Sequence, residues 1–441
     1  MADITPIRTA AESALIDLFP AVRASLPGDA RMALAREAAF GRFAAAGLPH
    51  RRVEAWKYTD LRAQLREAAP PAAAPDAAAV AAAAATPGVL AGVEAVRLTL
   101  VDGHLVAGLS DLSRLPAGVE ATSLAAALGT GHSLVGRLGQ ALATDDPIVA
   151  LNAALMTDGV VLRVSKGTAV PVPVGLRFVR LGDTPRAAFS RVLVVVEEGA
   201  SLTLFESHEG PDGVGHQANT VVEILVGAGA TVEHVRIATR GTGAVDLSTL
   251  GVHLSAGTRF ATTAMVTTPA LSRHQVFATF AGEGVRASIA GGAMITGRQH
   301  ADTTLLIDHA EPGGESRELF KHVLDGEATG VFQGKIIVRP VAQKTDGRMM
   351  SQAVLLSEGA SMYNKPELEI FADDVQCGHG ATCGALDEDL LFYLRARGLP
   401  KPEAEALMLQ AFVGGALETI AHEGVRAVLE DVTAAWLAAR R

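Results

Sequence analysis

The residues with the most chemical content in this chain sit close together near its C-terminal end. Cys377 and Cys383 are the only cysteines, and His379 lies between them. On an extended strand a Cys-x-His spacing puts both side chains on one face, where they can reach one ion or cluster. Thiolate and imidazole together suit soft or borderline metals such as iron and zinc. A closed zinc site needs four ligands, and Cys377, His379 and Cys383 supply three at most. The missing donor would come from Asp, Glu, another His, water or another chain. The plain structural alternative is a small buried cysteine beside a hydrogen-bonded histidine.

Just upstream runs the acidic, strand-like segment Glu367-Leu368-Glu369-Ile370-Phe371-Ala372-Asp373-Asp374. Its carboxylates could ligate a hard cation, but their usual role is a solvated face or an edge protected by charge. Other chemistries fail on inspection. Gly330-Val331-Phe332-Gln333-Gly334-Lys335-Ile336 is one residue short of a phosphate loop and lacks the Ser or Thr after the lysine. Gly378-His379-Gly380 and Gly227-Ala228-Gly229 lack a third glycine and a strand-to-helix setting. No nucleotide is expected on this chain. A thiol–imidazole nucleophile finds no local oxyanion hole or protease signature. Eight further histidines (His208, His216, His234, His253, His274, His300, His309, His322) are scattered, several at polar strand positions. They read mostly as surface or turn residues.

Composition narrows the class. The net charge is −10 and no basic run is visible, which argues against a general binder of nucleic acid or anionic membrane. Two cysteines six positions apart make no disulfide framework, so a reducing compartment, the cytoplasm, is expected. The opening MADITPIRTAAE lacks the pattern of a signal peptide, and no stretch reads as a membrane span.

The elements that must position Cys377 and His379 follow from periodicity. Residues 1–92 read as a helical region that ends in an Ala-rich linker. Apolar residues recur at spacings of three and four in 11–19 and 31–46. Arg51 to Asp60 contains Trp56 and Tyr58, an aromatic anchor for docking this arm, with Arg51 and Arg52 solvated. The stretch 69–90 is low-complexity alanine and proline, read as a linker or mobile segment.

Residues 93–385 read as a β core, with a helical insertion at roughly 123–155. Within it Glu198-Gly199-Ala200-Ser201, Ala228-Gly229-Ala230-Thr231 and Ala256-Gly257-Thr258-Arg259 recur near a 30-residue spacing, and Glu358-Gly359-Ala360-Ser361 resembles them. Such a period with β content predicts a stacked β-helix rather than a propeller or a Rossmann sheet. Alternation in Leu202 to Glu206 and Val232 to Ile237 predicts one buried and one wet face. Residues 386–441 read as a helical domain opened by Asp387-Glu388-Asp389.

With these residues in hand the chain resembles the SufB/SufD family of iron–sulfur cluster assembly scaffolds, its SufD members more than its SufB members. The resemblance spans essentially the whole chain. It is strongest in Lys344-Thr345-Asp346-Gly347-Arg348-Met349, in Lys365 through Thr382, and in Leu391 through Gly398; Arg51 through Thr59 also matches. It implies a mainly β fold, a right-handed parallel β-helix core flanked by N-terminal and C-terminal α-helical regions. It implies a non-catalytic scaffold that pairs with SufB through the end of the β-helix and binds the SufC ATPase through its C-terminal helices. ATP hydrolysis then belongs to SufC.

By position, His379 matches a SufD histidine implicated in cluster assembly at the SufB–SufD interface, and Cys377 matches its neighbouring cysteine. Both are therefore the expected cofactor-binding and metal-contacting residues, for a transient iron–sulfur cluster shared with the partner subunit. Cys383 falls where relatives often carry a small or apolar residue and is left out of the site. An exposed β-helix end would also let the isolated chain pair with itself, which leaves homodimer and monomer both open, and no nucleic acid or membrane is expected as partner. Two rivals remain from other classes: a metal-dependent enzyme on a β-helix, and a purely structural subunit that holds SufB and SufC.

Overall fold

Short Val-, Ile- and Thr-rich runs closed by glycine turns wind this chain into a parallel β-solenoid. The computed structural model describes residues 8–142 and 144–440; residues 1–7, part of the segment read for a leader, lie outside it. Helices α1 (Ala10–Val22), α2 (Ala30–Ala46), α3 (Leu61–Gln64) and α4 (Ala77–Ala85) come first. Strands β1 (Val96–Val101), β2 (His104–Leu105) and β3 (Val119–Ser123) lead into α5 (Leu124–Thr130) and α6 (Pro147–Leu155). Then come β4 (Asp158–Val164), β5 (Val174–Val179), β6 (Ala187–Val196), β7 (Ser201–Glu209), β8 (Gln217–Val226), β9 (Thr231–Thr239), β10 (Val245–Leu254) and β11 (Arg259–Val266). They continue as β12 (Leu271–Phe280), β13 (Arg286–Ile295), β14 (His300–His309), β15 (Glu315–Leu324), β16 (Thr329–Val338), β17 (Asp346–Leu355), β18 (Ser361–Ile370) and β19 (Gln376–Gly384). Helices α7 (Glu388–Ala396), α8 (Lys401–Leu417) and α9 (Glu423–Ala439) follow.

From β4 onward the even strands form one sheet and the odd strands another, each pairing in parallel with the strand two places on. Two strands per turn make eight turns between β4 and β19. The expected mainly β class, a parallel solenoid preceded and followed in sequence by helical regions, is what the chain adopts.

The glycine turns stack as a ladder. Gly199, Gly229, Gly257, Gly284 and Gly313 all sit at φ between 64° and 71°, where a Cβ is penalised. Each donates its N–H to the next turn: Gly199 to Ala228 and Gly229 to Ala256, both at 2.9 Å, and Gly313 to Gln343 at 2.9 Å. The ladder ends at Lys344, whose N–H reaches the Asp374 carbonyl at 2.6 Å while φ is 64°. The first three repeats read from sequence are rungs of this ladder. The fourth, around Gly359, lies instead at the opposite corner, between β17 and β18. Replacing Lys344 by Gly removes a left-handed penalty of about 1–2 kcal/mol, partly offset by the added freedom of the unfolded chain. The exposed pair of Lys344 with Asp374 contributes little. The expected result is a gain of about 0.5–1 kcal/mol in chemical denaturation.

The interior is apolar, with Val192, Val194, Val222, Ile224, Val252, Phe280, Ile307 and Phe332 packed between the sheets. The expected wet face is dry along much of the solenoid, because helices cover both sheets. Ile148, Leu151 and Leu155 of α6 pack with Phe189, Leu247 and Leu271 on one side. Leu409, Val413 and Leu417 of α8 cover Val235, Ile237, Met265 and Val323 on the other.

The aromatic anchor of the N-terminal arm is real. Trp56 is 1% exposed, donates from Nε1 to Asp146 Oδ2 at 2.8 Å, and carries the Arg273 guanidinium 3.7 Å from its ring centroid. Arg51 and Arg52 are exposed, as expected. The Ala-rich stretch is not simply a linker. Asp76 caps α4 by accepting from the Ala79 N–H at 2.8 Å, and Ala83 is fully buried beside Val101 and Val179. Alanine has the highest helix propensity, and its small side chain lets a helix lie close on a sheet.

Candidate functional site at the end of the solenoid

β19 is the terminal strand of its ten-stranded sheet, and its one sheet neighbour is β17. Cys377 stands opposite Gly347, His379 opposite Met349 and Cys383 opposite Ala353. Alternation puts Cys377, His379 and Cys383 on one face, and Cys377 identifies it as the inner face by packing against the solenoid core. Cys377 is half-buried, while His379 and Cys383 are exposed. Four strand residues span about 13 Å, so His379 and Cys383 cannot share one ion. Cys377 and His379, two residues apart, can.

Gly347 shapes the floor beneath Cys377. A Cβ added there would lie 3.7 Å from Cys377 Sγ and 3.5 Å from Ser316 Oγ, so the missing side chain leaves a gap between them. Burial pushes the Cys377 thiol up from its ordinary value, and Asp346 and Glu318 push the same way. The thiol is therefore held protonated until a cation displaces the proton. An open cleft of about 660 Å³ crosses β15, β17 and β19; Arg317, Glu318, Arg348, Cys377 and His379 help to line it.

One residue here escaped the sequence reading. Glu318 is 2% exposed, and neither carboxylate oxygen meets a donor in good hydrogen-bond geometry. Burial pushes it up to about 8, against the weaker pull of Ser316 and Arg317. Its signal was parity: Glu318 is in phase with Phe320, which lies in the solenoid interior.

The acidic run holds ion pairs. Lys335 meets Glu369 at 2.7 Å, Lys365 meets Glu367 at 3.3 Å, and Lys344 pairs with Asp374. Among the described residues no three His, Cys, Asp or Glu side chains come together to hold a metal ion. Cys377 and His379 are two donors on one face beside an orphaned carboxyl, a set that suits part of an iron or iron–sulfur site.

The other histidines depart from expectation. His208, His216, His234, His274, His309 and His322 are buried. His208 and His234 each donate from Nε2 to Glu206 at 2.9 Å, and Arg240 donates to His208 Nδ1 at 2.9 Å. Burial lowers His208 to about 4, so it is neutral at pH 7. Polar strand positions read as wet are inside the solenoid or under a helix.

Beyond β19, Asp387 caps α7 by accepting from the Leu390 N–H at 2.9 Å, as the acidic triplet predicts. α7 buries no residue, and Phe392 is 74% and Tyr393 52% exposed. Among the described residues no helix is long and apolar enough to cross a membrane.

This geometry, a solenoid ending in an exposed Cys-x-His strand, accompanies clear similarity to known proteins. The SUF system FeS cluster assembly SufBD core domain matches residues 179–412, and the SufBD protein N-terminal region matches residues 9–176. An iron–sulfur cluster assembly SufBD family protein of Synechocystis is 32% identical over 385 residues, 85% of this chain and 84% of its own. The iron–sulfur cluster assembly protein SufD of Escherichia coli is 27% identical over 383 residues, 86% of this chain and 87% of its own. SufD of Bacillus subtilis is 29% identical over 300 residues, 65% of each chain. The chain belongs to the SufBD family and is SufD-like. Its role lies in iron–sulfur cluster assembly.

Proposed function

We propose that this chain is the SufD-type scaffold subunit of a complex with SufB and SufC, and that it supplies half of a cluster site. The observation that carries this reading is the position of His379 and Cys377 on β19, whose outer edge has no strand beside it among the described residues. Exposed Ile370 and Phe371, at 41% and 58%, extend the same end as an apolar rim that a partner can cover. A partner solenoid that continues the sheet there would face His379 across the junction. The cluster is cargo, held mainly by SufB, and this chain positions imidazole and thiol beside it.

SufC would dock on the C-terminal helices and hydrolyse ATP there. α7 follows β19 after only a few residues, so a pull on it acts directly on the strand that bears His379. Movement of SufC would open the SufB–SufD junction and expose the cluster. The chain itself performs no bond cleavage in this account, and the cytoplasm is its proposed compartment.

Co-expression with SufB and SufC tests the partner assignment. Phe392→Asp changes an exposed side chain of a helix with no buried residue, so the fold is expected to persist. The expected result is SufC lost from the purified complex with SufB retained. SufC retained at full stoichiometry would reject α7 as its contact.

A further inference from the structure

The N-terminal arm reaches the open end of the solenoid. Residues 54–59 make contacts on four successive strands of one sheet, β12, β14, β16 and β18, and β18 is the terminal strand of that sheet. Arg273, Asp302, Val331 and Tyr363 form one in-register row across these strands. On β12, Arg273 Nη2 donates to the Ala55 carbonyl at 2.7 Å; on β16, Gln333 Nε2 donates to the same carbonyl at 3.0 Å. On β14, Asp302 accepts from the Thr59 hydroxyl, which also lies 2.9 Å from His300 Nε2. On β18, Tyr363 stacks against Tyr58, with ring centroids 5.2 Å apart and planes 21° apart, and Lys365 pairs with Glu54. The inner contacts are deep: Trp56 and Thr59 are buried. At the outer end Tyr363 is 45% exposed.

We propose that residues 54–59 brace the terminal coil for partner docking, with Tyr58 as the positioning residue through its stack on Tyr363. A terminal strand has a hydrogen-bonded neighbour on one side only, so it is among the first parts of a sheet to open. β18 is such a strand among the described residues. The brace ties it to three inner layers through a segment that Trp56 anchors in a buried apolar cluster. Order present before association does not have to be imposed by the partner, so it strengthens binding. The aromatic pair carries this link better than the pair of Lys365 with Glu54, because Glu54 is exposed and surface ion pairs contribute little. The proposal rests on the reading of the open end as the SufB junction, and adds a residue of the N-terminal arm that sets the shape of that junction.

Two readouts separate positioning from stability. Amide hydrogen exchange of the full chain reads the order of β18, and titration of the chain with SufB and SufC reads docking. Tyr58→Ala is expected to speed exchange in β18 about three- to tenfold, the scale of one aromatic pair, and to weaken docking by a similar factor. Exchange in β8 and β10, away from the brace, is expected to stay at the parent rate. Tyr58→Phe keeps the ring and is expected to restore both readouts. Tyr363→Ala breaks the same stack from its exposed side, and supplies the exchange signature if the Tyr58→Ala chain fails to fold. Parent-rate exchange of β18 in the Ala variants would overturn the brace. Faster exchange with unchanged docking would overturn the positioning role, as would a Phe variant that behaves like Ala. A parent chain that does not dock with SufB would overturn the partner reading itself, and the docking role with it. Cluster content of a His379→Ala complex reads the half-site separately.

Discussion

Replacing Asp246 by Ala is expected to lower the unfolding free energy by about 3–5 kcal/mol, the cost of removing one partner from a buried ion cluster. Asp246 is fully buried; Oδ1 accepts from Arg240 Nε at 2.9 Å and Oδ2 from Arg236 Nη2. Both guanidiniums are themselves buried, and some of their nitrogens already lack acceptors. The other buried carboxylate beside them, Glu206, already accepts from His208 and His234. Burial alone would raise the Asp246 carboxyl, but Arg236 and Arg240 outweigh it and hold it far below the ordinary range. A depressed carboxyl stabilises the fold fully above the ordinary value of about 4 and loses that contribution as the pH falls toward its folded value. The gap between parent and Asp246→Ala therefore stays constant at neutral pH and narrows only in acid. Urea denaturation at both pH values measures it. A neutral-pH loss under about 1 kcal/mol would contradict the account.

The second large effect is on function, not stability. His379 is exposed on a terminal strand, so His379→Ala is expected to leave the fold and partner binding intact. The same change removes an imidazole from the face shared with Cys377. Cluster content of the assembled complex should fall about tenfold, the scale on which losses around a metal site are felt. Cys377 can remain as a thiol donor, but its raised pKa makes it a poor ligand without a neighbour to fix the cation.

The parts of the fold visible in sequence were those set by local rules. Gly199, Gly229 and Gly257 announced the solenoid because each turn needs a positive φ at a fixed spacing. Asp387 announced α7 because capping is local. The parts that were not visible depend on what lies across the fold. His208 and His234 look like wet strand residues until the opposite sheet closes over them. Residues 77–85 look like linker until β1 and β5 provide a surface for Ala83. Cys377 and His379 stood out by type and spacing, and the family resemblance supplied their role. Glu318 did not, because its one mark is its phase with Phe320, and in a charged strand that phase shows which way it faces only once Phe320 is placed in the core.

The central claim is that this chain contributes His379 to a cluster at its junction with SufB. Its most direct measurement is iron and acid-labile sulfide per complex, after anaerobic purification of SufB and SufC co-expressed with the parent chain or with His379→Ala. The account predicts intact three-subunit complexes in both cases, with iron and sulfide falling together in the variant. Equal iron and sulfide in the two complexes would contradict it.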